Sequence, residues 1–184
     1  MSAPTTDDKD DVLLACRYGE LDELKQFVDR YGVPALVDVR DDNGNTVLHM
    51  VCANGHTALL DFLLPIVPGS LLSVQNTAGS TALHWAALNA QLGAARALVD
   101  FPDGPGIDLI DIKNNAGRSP LGEAEVAGWE EGARWMVEVM RLDDAGKPDE
   151  DEALPSGQDI EVEIQDADGQ IAKMSLGASK PPPS

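Results

Sequence analysis

Three histidines, two cysteines and the paired carboxylates Glu130 and Glu131 are the residues of this 184-residue chain with the widest chemical reach. His49 and His84 would suit zinc by type, but 35 residues separate them. No second ligand stands at the short spacing a zinc site uses. They fall at matching places in a repeated pattern, which predicts that each braces a turn through hydrogen bonds. His56 falls in a turn between two helices. Cys16 and Cys52 form no C-x-x-C pair and have no positioned base, so neither reads as a nucleophile. Both are expected to be small buried hydrophobes. Glu130 and Glu131 would serve glycoside chemistry only beside a cleft lined by aromatics, and the chain has three tryptophans. They read as a solvated cap face. No glycine-rich phosphate loop occurs. The expectation is a protein that is not an enzyme, with no cofactor and no metal.

The elements that position these residues repeat. Three windows align: DDNGNTVLHMVCANGHTALLDFLL from Asp41, NTAGSTALHWAALNAQLGAARALV from Asn76 and NNAGRSPLGEAEVAGWEEGARWMV from Asn114. Their turn glycines Gly44, Gly79 and Gly117 are 35 and 38 residues apart. A degenerate copy, DDVLLACRYGELDELKQFVDRYG, precedes them, with Gly19 and Cys16 each 36 residues before Gly55 and Cys52. Each window reads as turn, helix, turn, helix. Thr46, Thr81 and Ser119 stand where a hydroxyl caps free backbone N–H groups, and Pro120 follows at a first helical position. Leu83, Ala86 and Ala87 form a buried stripe. Gly55 and Gly128 close first helices. Second helices are expected over Ala58–Leu64, Ala94–Val99 and Ala133–Met140, with Pro65 stopping the first.

Thr81–Ala87, TALHWAA, matches the T-x-L-H-x-A-A signature of ankyrin repeats. Thr46–Val51 departs by Val47 and Val51, and Ser119–Ala124 carries Gly122 in place of His. Over residues 10–142 the chain resembles the ankyrin family. That resemblance implies an all-α solenoid of about four helix pairs with β-hairpin-like tips, followed by an acidic C-terminal tail. The segments LLACRYGELDELK and GSTALHWAALN, with the acidic tail, are similar to a family of fungal ankyrin chaperones dedicated to the third small-subunit ribosomal protein, the one with a KH domain. The resemblance implies shielding of that newly made basic client and its escort to the nucleus for small-subunit assembly. A generic ankyrin adaptor for another complex or signalling partner is the alternative reading.

Composition bounds the partner. Against 13 Lys+Arg stand 32 Asp+Glu, a formal net charge of −19. Such a field repels phosphate backbones and anionic membranes and attracts basic proteins. We therefore expect a basic protein client, no direct nucleic acid and no membrane, with the chain monomeric or one-to-one with its client. A polar, acidic N-terminus and the lack of a disulfide framework predict the cytosol or nucleus.

Residues 1–9 read as a disordered acidic N-terminus, and residues 143–184, with net charge −8, as a mostly disordered acidic tail. Within that tail, residues 160–176 alternate as a β-hairpin would, with a turn at Asp168 and Gly169. The inter-repeat segments Pro65–Gln75 and Phe101–Asp111 read as tolerated loop insertions, with a client-contacting rim as the alternative. The polar faces of the first and last copies read as caps for the stack.

A partner should meet the turn tips and the first-helix faces. The candidate positions are Asp42, Asn43, Asn45, Asn54, Thr77, Ser80, Leu88, Asn89, Arg118 and Val126, flanked by Ala53, Ala78, Asn115, Ala116 and Ala127. Leu88 and Val126 are the apolar anchors of a surface suited to a helix or extended segment with apolar and basic residues. Acidity gathers at Asp41, Asp42, Glu123 and Glu125. Trp85 and Trp135 have core spacing, whereas Trp129, in an inter-helix turn, is either an interface candidate or packed against the cap.

Overall fold

A computed structural model describes residues 3–144, 161–165 and 171–175. The chain divides into two compact units, Met1–Gly146 and Lys147–Ser184. The first holds four helix pairs: α1 (Thr6–Tyr18) with α2 (Leu21–Tyr31), α4 (Val47–Asn54) with α5 (Thr57–Leu63), α6 (Ala82–Leu88) with α7 (Leu92–Val99), and α9 (Pro120–Val126) with α10 (Glu130–Asp144). Between pairs lie α3 (Val33–Val37), a 3-10 turn (Gly69–Ser73) and α8 (Asp108–Asp111).

The predicted caps are in place. Thr46 and Thr81 cap α4 and α6, and the Gly122 N–H donates to the Ser119 hydroxyl at the start of α9. First helices end in left-handed residues at Gly19, Gly55, Ala90 and Gly128. Ala90, with φ 55°, holds that conformation without glycine, so repeat geometry overrides local preference there.

Helices α1, α4, α6 and α9 form an inner row in which each packs on the next, and each also packs on its own outer partner. The core between the rows is built from Leu, Val and Ala, with Leu24, Leu48, Leu60, Leu83 and Leu98 fully buried. Cys16 and Cys52 lie in it as expected. Burial pushes the Cys16 thiol up to about 12 and raises the Cys52 thiol as well, so both stay protonated and inert.

The inter-repeat segments are not loop insertions. The 3-10 turn in Pro65–Gln75 buries Leu71 and Leu72, and α8 in Phe101–Asp111 buries Leu109 and Ile110. With Leu36 of α3, equally buried, they give each of the first three repeats a short third element that closes the core. Their Pro and Gly content hid apolar pairs that only the neighbouring repeat could bury.

The N-terminus also departs from its reading as disordered over residues 1–9. Helix α1 starts at Thr6 because Thr5 forms a reciprocal capping box with Asp8. The Asp8 carboxylate accepts from the Thr5 N–H at 2.8 Å and from its hydroxyl at 2.6 Å. Those bonds hold Asp8 below the ordinary carboxylate range. Acids in the first turn, Asp7 and Asp8, also complement the helix dipole. The acidity that suggested disorder therefore favours this helix start.

In the second unit, β1 (Glu161–Gln165) pairs antiparallel with β2 (Ile171–Ser175), Glu163 opposite Lys173. The predicted turn at Asp168 and Gly169, the acidic linker and the last residues of the chain lie outside the described residues.

Candidate protein-binding surface

Each tip is a tight turn closed by its own backbone: Asp41 N–H to Asn45 O at 3.1 Å, Asn76 N–H to Ser80 O at 2.9 Å and Asn114 N–H to Arg118 O at 2.9 Å. The tips are then tied in a row, Thr77 N–H donating to Asn43 O at 2.9 Å and Asn115 N–H to Ala78 O at 3.0 Å. Gly79 must be glycine: its φ is +74°, and a Cβ would stand 2.7 Å from the Asn115 nitrogen.

His49 and His84 perform the bracing expected of them. Each takes the third helical position of a capping box, a place more often held by Glu or Gln. His49 Nδ1 accepts from the Thr46 N–H at 3.1 Å and hydroxyl at 2.9 Å, and its Nε2–H donates to Ser80 O at 2.9 Å. His84 does the same with Thr81 and, across the repeat, Arg118 O at 3.1 Å. A carbonyl can only accept and a backbone N–H can only donate, so both rings are neutral with the proton on Nε2. Burial, the largest cause, pushes the pKa of both below the ordinary histidine value, keeping the imidazoles neutral. His56 makes a weaker version of the same link, its ring nitrogen 2.9 Å from Arg17 O. Among the described residues no cluster of His, Cys, Asp or Glu could hold a metal ion.

The last repeat lacks the histidine and solves the problem differently. Glu123 is buried, which corrects its reading as surface acidity. Its Oε1 accepts from Asn114 Nδ2 at 2.6 Å and from Arg118 Nε at 3.0 Å. The Arg118 guanidinium is thereby oriented at the edge of the third tip.

The remaining candidates divide. Asp42, Asn43, Asn54, Thr77, Leu88, Asn89, Arg118 and Val126 are exposed, and Ser80 is half-buried. Asn45 is buried: its Nδ2 donates to Asp41 at 2.9 Å and its Oδ1 accepts from Asn76 Nδ2 at 2.7 Å. It is a strut between tips, not a contact for a partner. Trp129 is also withdrawn from the surface, with 9% of its area exposed. Its ring lies on Gly132, where a Cβ would collide with it. Gly132 is thus the seat of a core tryptophan.

By the repeat frame Tyr18 aligns with Asn54 and Asn89, and Leu88 with Val126, so the exposed residues at these positions share the inner-helix face. Among the described residues, the exposed large apolar side chains are Leu14 (47%), Tyr18 (67%), Leu88 (52%) and Val126 (69%), and all four lie on inner helices. Leu88 and Val126 were anticipated. Leu14 and Tyr18 were not, because the first copy has no tip motif to set its frame. The signal was present in the spacing: Leu14 precedes Met50 by 36 residues, as Cys16 precedes Cys52. Half-buried Met50 and Trp85 fill the face between them. Asn54 and Asn89 turn their amide nitrogens back to Met50 O at 2.9 Å and Trp85 O at 2.8 Å. Each keeps its carbonyl oxygen and one N–H for a partner. The free face is therefore an apolar band with amide groups along one edge.

The family model for ankyrin repeats, in three copies, matches residues 12–110. The chain belongs to the ankyrin-repeat family. This ankyrin chain is 35% identical over 119 residues to an ankyrin repeat-containing protein of Schizosaccharomyces pombe, covering 65% of this chain and 77% of that one. It is 37% identical over 94 residues to the human SH3 and multiple ankyrin repeat domains protein 2, spanning 5% of that much longer protein. Among solved structures it resembles a chain in the crystal structure of the yeast ribosomal protein Rps3 in complex with its chaperone Yar1. The TM-score is 0.67 at 30% identity, covering 73% of this ankyrin chain and 94% of that one. The family match ends before α9, where Gly122 and Glu123 replace the usual motif. Ankyrin repeats are protein-interaction scaffolds, and the free inner face is where this one has apolar surface to offer.

Proposed function

We propose that this ankyrin protein is a dedicated, non-catalytic chaperone that shields a newly made basic small-subunit ribosomal protein and escorts it from cytoplasm to nucleus. The observation that carries this reading is the apolar band of Leu14, Tyr18, Leu88 and Val126, left open on a chain of net charge −19. Apolar anchors hold a client's buried surface while the surrounding field draws in a cationic one. The resemblance to a chain of the Rps3–Yar1 complex, over 94% of that chain, supports a ribosomal client of the same kind. Asn54, Asn89, Leu88, Val126 and the tip residues Asp42, Asn43 and Thr77 would contact it, and the acidic tail would add long-range attraction.

The test is binding kinetics with the purified ribosomal protein at two salt concentrations. Leu88→Arg should raise the off-rate about tenfold or more, because it removes an anchor and sets like charge against the client. Loss of residues 147–184 should instead lower the on-rate and flatten the salt dependence, since charges beyond about 8 Å are screened near physiological ionic strength. No binding by the wild type would end the proposal.

A further inference from the structure

The ion pairs among the described residues are Arg30 with Asp8 and Arg118 with Glu123. This leaves most carboxylates of the first unit without a cation, and two of them meet at a shaped place. A depression of about 240 Å³ lies where α1, α4 and the first tip converge, lined by Asp10, Leu13, Leu14, Arg17, Asp41 and Met50. Its walls are apolar, and the exposed Leu14 opens it onto the inner-helix face. Asp10 contributes one carboxylate from α1 and Asp41 a second from the tip. Asp41 is held in place by the tip, its oxygens accepting from the Asn43 N–H at 2.9 Å, the Asn45 N–H at 2.7 Å and Asn45 Nδ2 at 2.9 Å. The lining carries two negative charges against the one positive charge of Arg17, which forms no ion pair with either.

Resting on the reading of a basic client, we propose that this depression is a subsite for one lysine or arginine side chain of that client. A long basic side chain has two parts, an apolar stem and a cationic end. Leu13, Leu14 and Met50 match the stem, and Asp10 with Asp41 match the charge. An apolar side chain would leave both charges without a counter-charge, and an acidic one would be repelled by both. The subsite sits at the first repeat, at the opposite end of the face from Val126. It therefore sets the client's register at one end while Leu88 and Val126 hold the other.

Two charge reversals of equal magnitude separate the subsite from the general field. Asp10→Lys changes the depression, and Asp61→Lys, at an exposed position of outer helix α5, changes only the net charge, by the same amount. Both are measured as the full chain against the purified ribosomal protein, with circular dichroism to verify the fold. Asp10→Lys should weaken binding about tenfold or more and Asp61→Lys about twofold or less. Asp10→Asn should fall between them. Equal losses from the two reversals, with wild-type binding intact, would overturn the subsite and leave the chaperone reading standing. Failure of the wild type to bind would overturn both.

Discussion

The second and third repeats and the fourth repeat reach the same backbone by different chemistry. In the middle of the stack a neutral, buried histidine closes its own helix start and donates to the next tip. At the end of the stack the described residues hold no further tip, and Gly122 stands where the histidine was. Glu123 then reaches back to Asn114 and Arg118 within its own repeat. The difference teaches what the histidine is for. It is a connector between repeats, and the last repeat of the stack has in its place an internal brace and a large cap residue, Trp129.

The sharpest way to break this comparison is at the cap. Trp129→Ala should cost about 3 to 5 kcal/mol, since it empties the volume between α9 and α10. Urea denaturation would report it, and a loss under about 1 kcal/mol would return Trp129 to the surface. Next is the connector. His84→Ala leaves the Thr81 N–H without its partner and removes the inter-repeat donor to Arg118 O, which keeps only the Asn114 N–H, and should destabilise by about 1 to 3 kcal/mol. Hydrogen exchange should accelerate in the fourth repeat more than in the first, and uniform acceleration would contradict a connector role.

A smaller effect comes with acid. Burial lowers the folded-state pKa of His49 and His84, while unfolded histidine titrates near about 6.5. Their contribution is complete above that value. It is lost as pH falls from about 6.5 toward the lowered folded values, because the unfolded chain then binds more protons. Stability should drop by about 1 to 2 kcal/mol between about pH 7.5 and 5.5, read from urea midpoints. A flat profile over that interval would mean the rings charge as readily folded as unfolded. The smallest expected change is at the free face. Tyr18→Ala and Val126→Ala should move stability by no more than about 0.5 kcal/mol while weakening client binding. A cooperative loss of fold in either would show that the band belongs to the core.

Much of the architecture was legible because the repeat imposes it locally. A threonine before an apolar run, a histidine three residues on and a glycine at the turn each have one conformational meaning, and their recurrence sets the frame. The histidine roles, the buried cysteines and the anchors Leu88 and Val126 followed from that frame. What failed were residues whose type pointed one way and whose neighbours decided another. Asn45 reads as a polar tip residue, yet Asn76 of the next repeat covers it. Leu71, Leu72, Leu109 and Ile110 sit in Pro- and Gly-rich stretches that look like loops. Leu14 and Tyr18 read as ordinary helix residues, because nothing in the first copy says that no later element will cover them.

The sequence by itself determined the order of turns and helices, the family and the strong acidity, since these depend on residue types at short range and on charge. The tertiary structure decided which side chains remain open. Exposure is a property of what packs beside a residue, and that neighbour can stand three residues away, as Gly132 does for Trp129, or in the next repeat, as Asn76 does for Asn45. Trp129 and Leu88 differ little by local pattern. One finds Gly132 beneath its ring and is buried, whereas the other faces the side of the inner row that no element of the first unit covers.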